Sequence, residues 1–89
     1  METVHLVIKG KVQGVYYRAS AREKANELGI KGWIKNTPAG DVEVMASGKK
    51  EQLEKFVEWC RRGPKYAEVK DMIVTKGEIE NFNDFNIKK

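Results

Sequence analysis

Apolar and polar positions alternate at the start of the chain. Val4, Leu6 and Ile8 share one parity, with His5, Val7 and Lys9 between them. A period of two predicts a strand with one core face. From Tyr17 to Leu28 the period changes. Tyr17, Ala21, Ala25 and Leu28 fall on one helical stripe, and Arg22, Glu23, Lys24 and Glu27 lie mostly on its wet side. Gly29 is the natural stop. Lys31–Thr37 predicts a second strand, with Trp33 and Ile34 on opposite faces. Asn36 shares the parity of Ile34 and stands at that strand's end. Thr37-Pro38-Ala39-Gly40-Asp41 has turn chemistry. Val42, Val44 and Ala46 then alternate with polar or exposed-type neighbours as a third strand, and so short a connection makes an antiparallel hairpin.

Ser47 and Gly48 read as the start of a second helix. Its stripe is Leu53, Phe56, Val57 and Cys60, and Gly63-Pro64 ends it. Cys60 on that stripe is a small buried apolar residue. Ala67–Lys76 predicts a fourth strand. Within it Met72 and Val74 lie on the other parity from Val69 and Ile73, a change that a bulge would cause. Asn81–Asp84 predicts a polar turn and Phe85–Lys88 a short final strand. The order βαββαβ with a terminal strand suits an α+β, ferredoxin-like sandwich, in which two helices cover one face of an antiparallel sheet. No repeat, linker or low-complexity tract interrupts it, so residues 1–89 read as a single domain.

One stretch is not explained by core patterning. Gly10-Lys-Val-Gln-Gly-Val-Tyr-Tyr-Arg18 joins the first strand to the first helix. Gly10 and Gly14 permit positive φ and close backbone approach. N–H groups at such a junction, with the helix N-terminus behind them, can converge on an anion. Arg18 brings a planar, permanently charged fork that matches two phosphate oxygens. The stretch is neither a Walker A loop nor Gly-x-Gly-x-x-Gly. From the residues alone, two alternatives stand side by side: an anion-binding loop, or a tight strand–helix connection with a solvated arginine.

Residues Ile8–Arg18 resemble the first signature of the acylphosphatase family. Gly32-Trp33-Ile34-Lys35-Asn36, followed by Gly40, Val42 and Gly48, resembles the second. Gly63-Pro64 and Phe85-Asn86-Ile87 are similar in kind and place, so the resemblance spans residues 4 to 88. Tyr17 stands where the family usually has Phe, Tyr16 where a small residue is frequent, and Ile34 and Lys35 also depart from the usual pattern. The resemblance implies a ferredoxin-like fold and hydrolysis of small acyl phosphates to a carboxylate and inorganic phosphate, with no metal or organic cofactor. It implies that the backbone of Gly14, Val15, Tyr16 and Tyr17, with Arg18, holds the phosphoryl group. Asn36 would orient the attacking water. Phosphate binding without turnover, as in a regulatory domain, is the second reading of the same loop.

Charge and cysteine usage narrow the setting. The net charge is +4, and Lys9, Lys11, Arg18, Arg22 and Lys35 are in or near the proposed site, so part of that charge can steer an anionic substrate, although each lysine taken singly reads as solvated basic surface. RNA-recognition domains share the element order. They need an aromatic Lys/Arg-Gly-Phe/Tyr strand, whereas the third strand here is Asp-Val-Glu-Val-Met-Ala, so nucleic acid is not an expected partner. Cys60 is the only cysteine, which excludes an intrachain disulfide or a thiolate metal cluster. With no signal-peptide core and no apolar run near the roughly 20 residues of a membrane helix, a cytoplasmic monomer with no membrane contact is expected. His5, alone in mid-strand, reads as a sheet-surface residue rather than a catalyst.

Overall fold

Alternation in the first strand has the consequence expected of it: Leu6 and Ile8 are fully buried. Each such side chain contributes about 1.5–3 kcal/mol relative to exposure. The computed structural model describes residues 1–78 and 80–88. Its elements are β1 (Glu2–Lys11), α1 (Tyr17–Leu28), β2 (Lys31–Asn36), β3 (Val42–Gly48), α2 (Lys50–Arg62), β4 (Glu68–Lys76) and β5 (Phe85–Ile87). All five strands join one sheet in the order β4-β1-β3-β2-β5. Leu6, Ile8, Ile34, Val42 and Val44 of the sheet meet Ala21, Ala25, Phe56 and Cys60 of the helices in one core. The opposite face carries His5, Lys9, Trp33, Lys35 and Glu43, so it is the wetter one.

Four strands pair antiparallel, as the element order implies. The fifth corrects the expectation of a wholly antiparallel sheet. β5 lies parallel to β2, with Gly32 opposite Phe85 and Ile34 opposite Ile87. The cause is where β4 ends. It runs against β1 and finishes at the end of the sheet where β1 and β2 begin. There Gly77 N–H donates to the Thr3 carbonyl, and Gly32 N–H donates to the Asp84 carbonyl. A strand started from that end can only run in the direction of β2.

A second correction concerns Ser47 and Gly48, which close β3 rather than open α2. Ser47 is buried, and its Oγ accepts a hydrogen bond from Thr3 Oγ1 at 3.1 Å across the ladder. A Cβ on Gly48 would come within 2.6 Å of Ile30 Cδ1, so close packing rather than capping accounts for that glycine. Helix α2 begins after Lys49 with no side-chain cap. The bulge expected in the fourth strand is present. Lys9 faces Asp71 and Gly10 faces Val69, which leaves Lys70 unmatched. Gly10 sits where a Cβ would run into the Glu68 carbonyl, so its lack of a side chain serves β1–β4 contact.

The two helices are joined by Tyr17, which is 1% exposed. Its hydroxyl donates to the Cys60 carbonyl at 2.6 Å. Its ring meets Trp59 at a centroid distance of 5.7 Å, and Gly63 leaves room for its Cε2. Burial drives the Tyr17 hydroxyl well above the usual phenolic range, so it stays a neutral donor. Burial also pushes the Cys60 thiol up to about 12. Because the thiolate is the nucleophile, native protein at pH 8 is expected to resist an aromatic disulfide reagent, and urea-unfolded protein to react at once. Comparable rates in the two states would place Cys60 outside the core.

Candidate active site

The chain leaves β1 at Lys11 and enters α1 at Tyr17, so the loop is Val12–Tyr16. Val12 and Val15 anchor it in the core at 1% and 6% exposure. Gly14 has φ 74° with open space around the Cβ it lacks, so backbone conformation accounts for the glycine there. Tyr16 has φ 63° and ψ 22°. Among the described residues it is the one non-glycine with positive φ. Such a conformation costs an L-residue about 1–2 kcal/mol, and backbone strain of this kind collects at functional sites.

The strain has a geometric product. A left-handed residue followed by a right-handed helix is the arrangement that turns successive N–H groups into one concavity. The Tyr16 carbonyl accepts the first intrahelical bond, from Ser20 N–H at 3.1 Å. No side chain caps the helix, and its first turn carries no acidic residue. The amides of that turn therefore lack intrahelical partners and sit at the positive end of the helix dipole.

Strand parity brings the last polar group to this place. Ile34 points into the core, so Asn36, two residues on and opposite Val42, points to the helix-covered face at the strand's end. Gly14, Tyr16, Tyr17, Arg18 and Asn36 line a single cavity of about 380 Å³ together with Val12, Ala19 and Ile87. The structure thus gathers five of the six residues expected at the site. Val15 is not in the lining, because its side chain fills the core. Arg18 makes no ion pair among the described residues, which leaves its fork available to a ligand. Asn36 Oδ1 is buried without a hydrogen-bond partner. A buried, unpaired amide oxygen is costly unless something donates to it.

The charge near the site is narrower than composition suggested. Lys9 Nζ pairs with Asp41 at 2.9 Å, and Lys35 Nζ lies 3.5 Å from Glu43. Neither lines the cavity. His5 also meets Glu43, at 2.7 Å, on the open face of the sheet. That bond, with Lys35 beside it, holds the Glu43 carboxyl below its ordinary range against the opposing effect of burial. Of the five basic residues expected in or near the site, Arg18 alone lines the cavity.

The acylphosphatase family model matches residues 4–87. The chain belongs to the acylphosphatase family. Acylphosphatase of Methylococcus capsulatus is 48% identical over 87 residues, which cover 92% of this chain and 94% of that one. Among solved structures, acylphosphatase from Bacillus subtilis superposes with a TM-score of 0.96 at 32% identity, covering all of both chains. An acylphosphatase from Coxiella burnetii gives 0.94 at 38% identity, covering 98% of this chain and 92% of that one.

Gln13 stands within the first signature, where local pattern assigns it no task. In the structure its Nε2 donates to the Thr37 carbonyl at 2.9 Å and to the Asp41 carbonyl at 2.8 Å. Gln13 thereby ties the loop to the turn that follows Asn36. That turn is closed by its own bonds, Thr37 N–H to the Asp41 carbonyl at 2.9 Å and Gly40 N–H to the Thr37 carbonyl at 3.1 Å. Only contacts distant in sequence reveal the link, so no local signal could have found it. Each bond is worth about 0.5–1.5 kcal/mol. Gln13→Ala is expected to lower Tm by roughly 5–10 °C for a domain of this size, and also to weaken competitive inhibition by inorganic phosphate. Unchanged phosphate inhibition at a lowered Tm would confine Gln13 to stability.

Proposed function

We propose that the protein hydrolyses the carboxyl–phosphate bond of acyl phosphates, with the amides of the 14–17 loop and Arg18 holding the phosphoryl oxygens and Asn36 orienting water. One observation supports the assignment of roles: Asn36, whose amide oxygen Oδ1 is buried without a hydrogen-bond partner, lines the same cavity as Arg18 and the first residues of α1. The amide offers an acceptor for a water proton beside a site built to hold an anion. Water oxygen bonds to phosphorus while the bond from phosphorus to the carboxyl oxygen breaks. The carboxylate leaves with the bonding pair, and the water proton passes to a phosphoryl oxygen. No carboxylate, imidazole or thiol lines the cavity among the described residues, so the substrate itself is the proton acceptor in this scheme.

Such a division suits the chemistry. Phosphoryl transfer asks a protein mainly for positioning and charge stabilisation. A carboxylate is a good leaving group, so a strong general acid is dispensable. Phosphate charge is met by Arg18 and amides alone, and turnover of benzoyl phosphate is therefore expected to persist in chelator-containing buffer. We place the reaction in the cytoplasm and assign it to a monomer. No helix among the described residues is long and apolar enough to cross a membrane.

Two variants test the roles. Asn36→Ala is expected to lower kcat by roughly 10²-fold, the loss seen when one preorganised polar group is removed, with phosphate inhibition little changed. Collapse of phosphate affinity instead would move Asn36 to the binding side. Arg18→Lys keeps the charge but not the fork and is expected to lose most activity, on the order of 10²-fold. Near-normal turnover in that variant would remove Arg18 as the clamp. Phosphate binding by a folded wild type that turns over no acyl phosphate would favour the regulatory reading.

A further inference from the structure

The cavity is larger and less polar than a phosphate requires. Its volume is about 380 Å³, whereas four water-sized oxygens take about 30 Å³ each. Its donors are concentrated in Arg18, Asn36 and the loop amides. Val12, Ala19 and Ile87 line the remainder with apolar surface, and Tyr16 completes it. Tyr16 belongs to the lining and is nevertheless 77% exposed, so its ring stands at the mouth. It is also the one described non-glycine residue held at positive φ, at a place where glycine would meet the backbone demand without strain. The core does not account for the ring, since its own burial is slight. The neighbouring Tyr17, by contrast, is sealed in the core.

We infer that Tyr16 is the specificity-determining residue for the acyl half of the substrate, and that with Ile87 it favours flat, aromatic acyl phosphates over acetyl phosphate. The inference rests on the hydrolase reading above and adds the acyl group to it. With the phosphoryl group at Arg18 and the loop amides, the acyl carbon must leave through the part of the cavity that lacks donors. An aryl group there gains contact with Ile87 and an offset or edge-to-face arrangement with the phenol ring. A methyl group is too small to reach both.

The test compares kcat/KM for benzoyl phosphate and acetyl phosphate in wild type, Tyr16→Phe and Tyr16→Asn. Asparagine tolerates the left-handed conformation but has no ring, and Tyr16→Gly gives the same comparison should the asparagine variant fail to fold. Wild type is expected to prefer benzoyl phosphate. Loss of the ring is expected to cut the benzoyl-to-acetyl ratio about tenfold, mainly through KM for benzoyl phosphate, in keeping with the strength of an aromatic pair. Tyr16→Phe is expected to keep the ratio. Hydrolysis of both substrates with a ratio that does not move on losing the ring would overturn the inference and leave the hydrolase reading standing. A wild type that prefers acetyl phosphate would do the same. A folded wild type that hydrolyses neither substrate would overturn both.

Discussion

The buried Tyr17 is the constraint on which the site depends. An anion-binding loop works only if its amides are already aimed when the ligand arrives, because a loop that must be ordered on binding loses that entropy from its affinity. Here the aiming is done from below. The Tyr17 ring is locked between α1 and α2, its hydroxyl is bonded to the Cys60 carbonyl, and Gly63 lets the end of α2 close on it. With Tyr17 fixed as the first residue of α1, Tyr16 must turn the chain into the helix in one step, and it does so in the left-handed region. The conformation that faces the cavity is thus imposed by packing on the far side of the same peptide. In a family where Phe usually fills the Tyr17 position, this chain adds a hydrogen bond between the helices to the ring packing.

The second half of the site is held by a different device. Asn36 gains its direction from strand parity, and its position from the closed turn after it. Gln13 and the Lys9–Asp41 pair connect that turn to the loop and to β1. A helix terminus and a strand end, which separate loops would leave free to drift, are therefore fixed to one another through side-chain bonds to main-chain carbonyls. A displacement of about 1 Å between reacting groups can remove a large part of a rate, so such bracing bears directly on turnover.

Much of this was legible from periodicity. The boundaries of α1, with Gly29 behind it in the left-handed C-cap, follow from one apolar stripe and one glycine. The inward parity of Asn36, the burial of Cys60 and the bulge in β4 also follow from local pattern. What escaped was decided by distant partners. Ser47 looks like a helix cap, but Thr3 claims its hydroxyl across the sheet. Lys9 and Lys35 read singly as solvated surface charges, and their partners Asp41 and Glu43 lie elsewhere in the chain. The parallel docking of β5 depends on which end of the sheet β4 reaches, and no property of Phe85–Ile87 encodes that. The task of Gln13 depends on carbonyls 24 and 28 residues away. In each case the missed fact is a pairing with a residue distant in sequence.

The loss of those lysines from the site sharpens the electrostatic argument. A net charge of +4 can still attract an anion from a distance, but within the cavity the field comes from one guanidinium and a set of oriented dipoles. In the proposed hydrolysis, that arrangement leaves the departing carboxylate without a cation of its own. Repulsion between the two product anions then favours release, the step that frees the site for the next substrate.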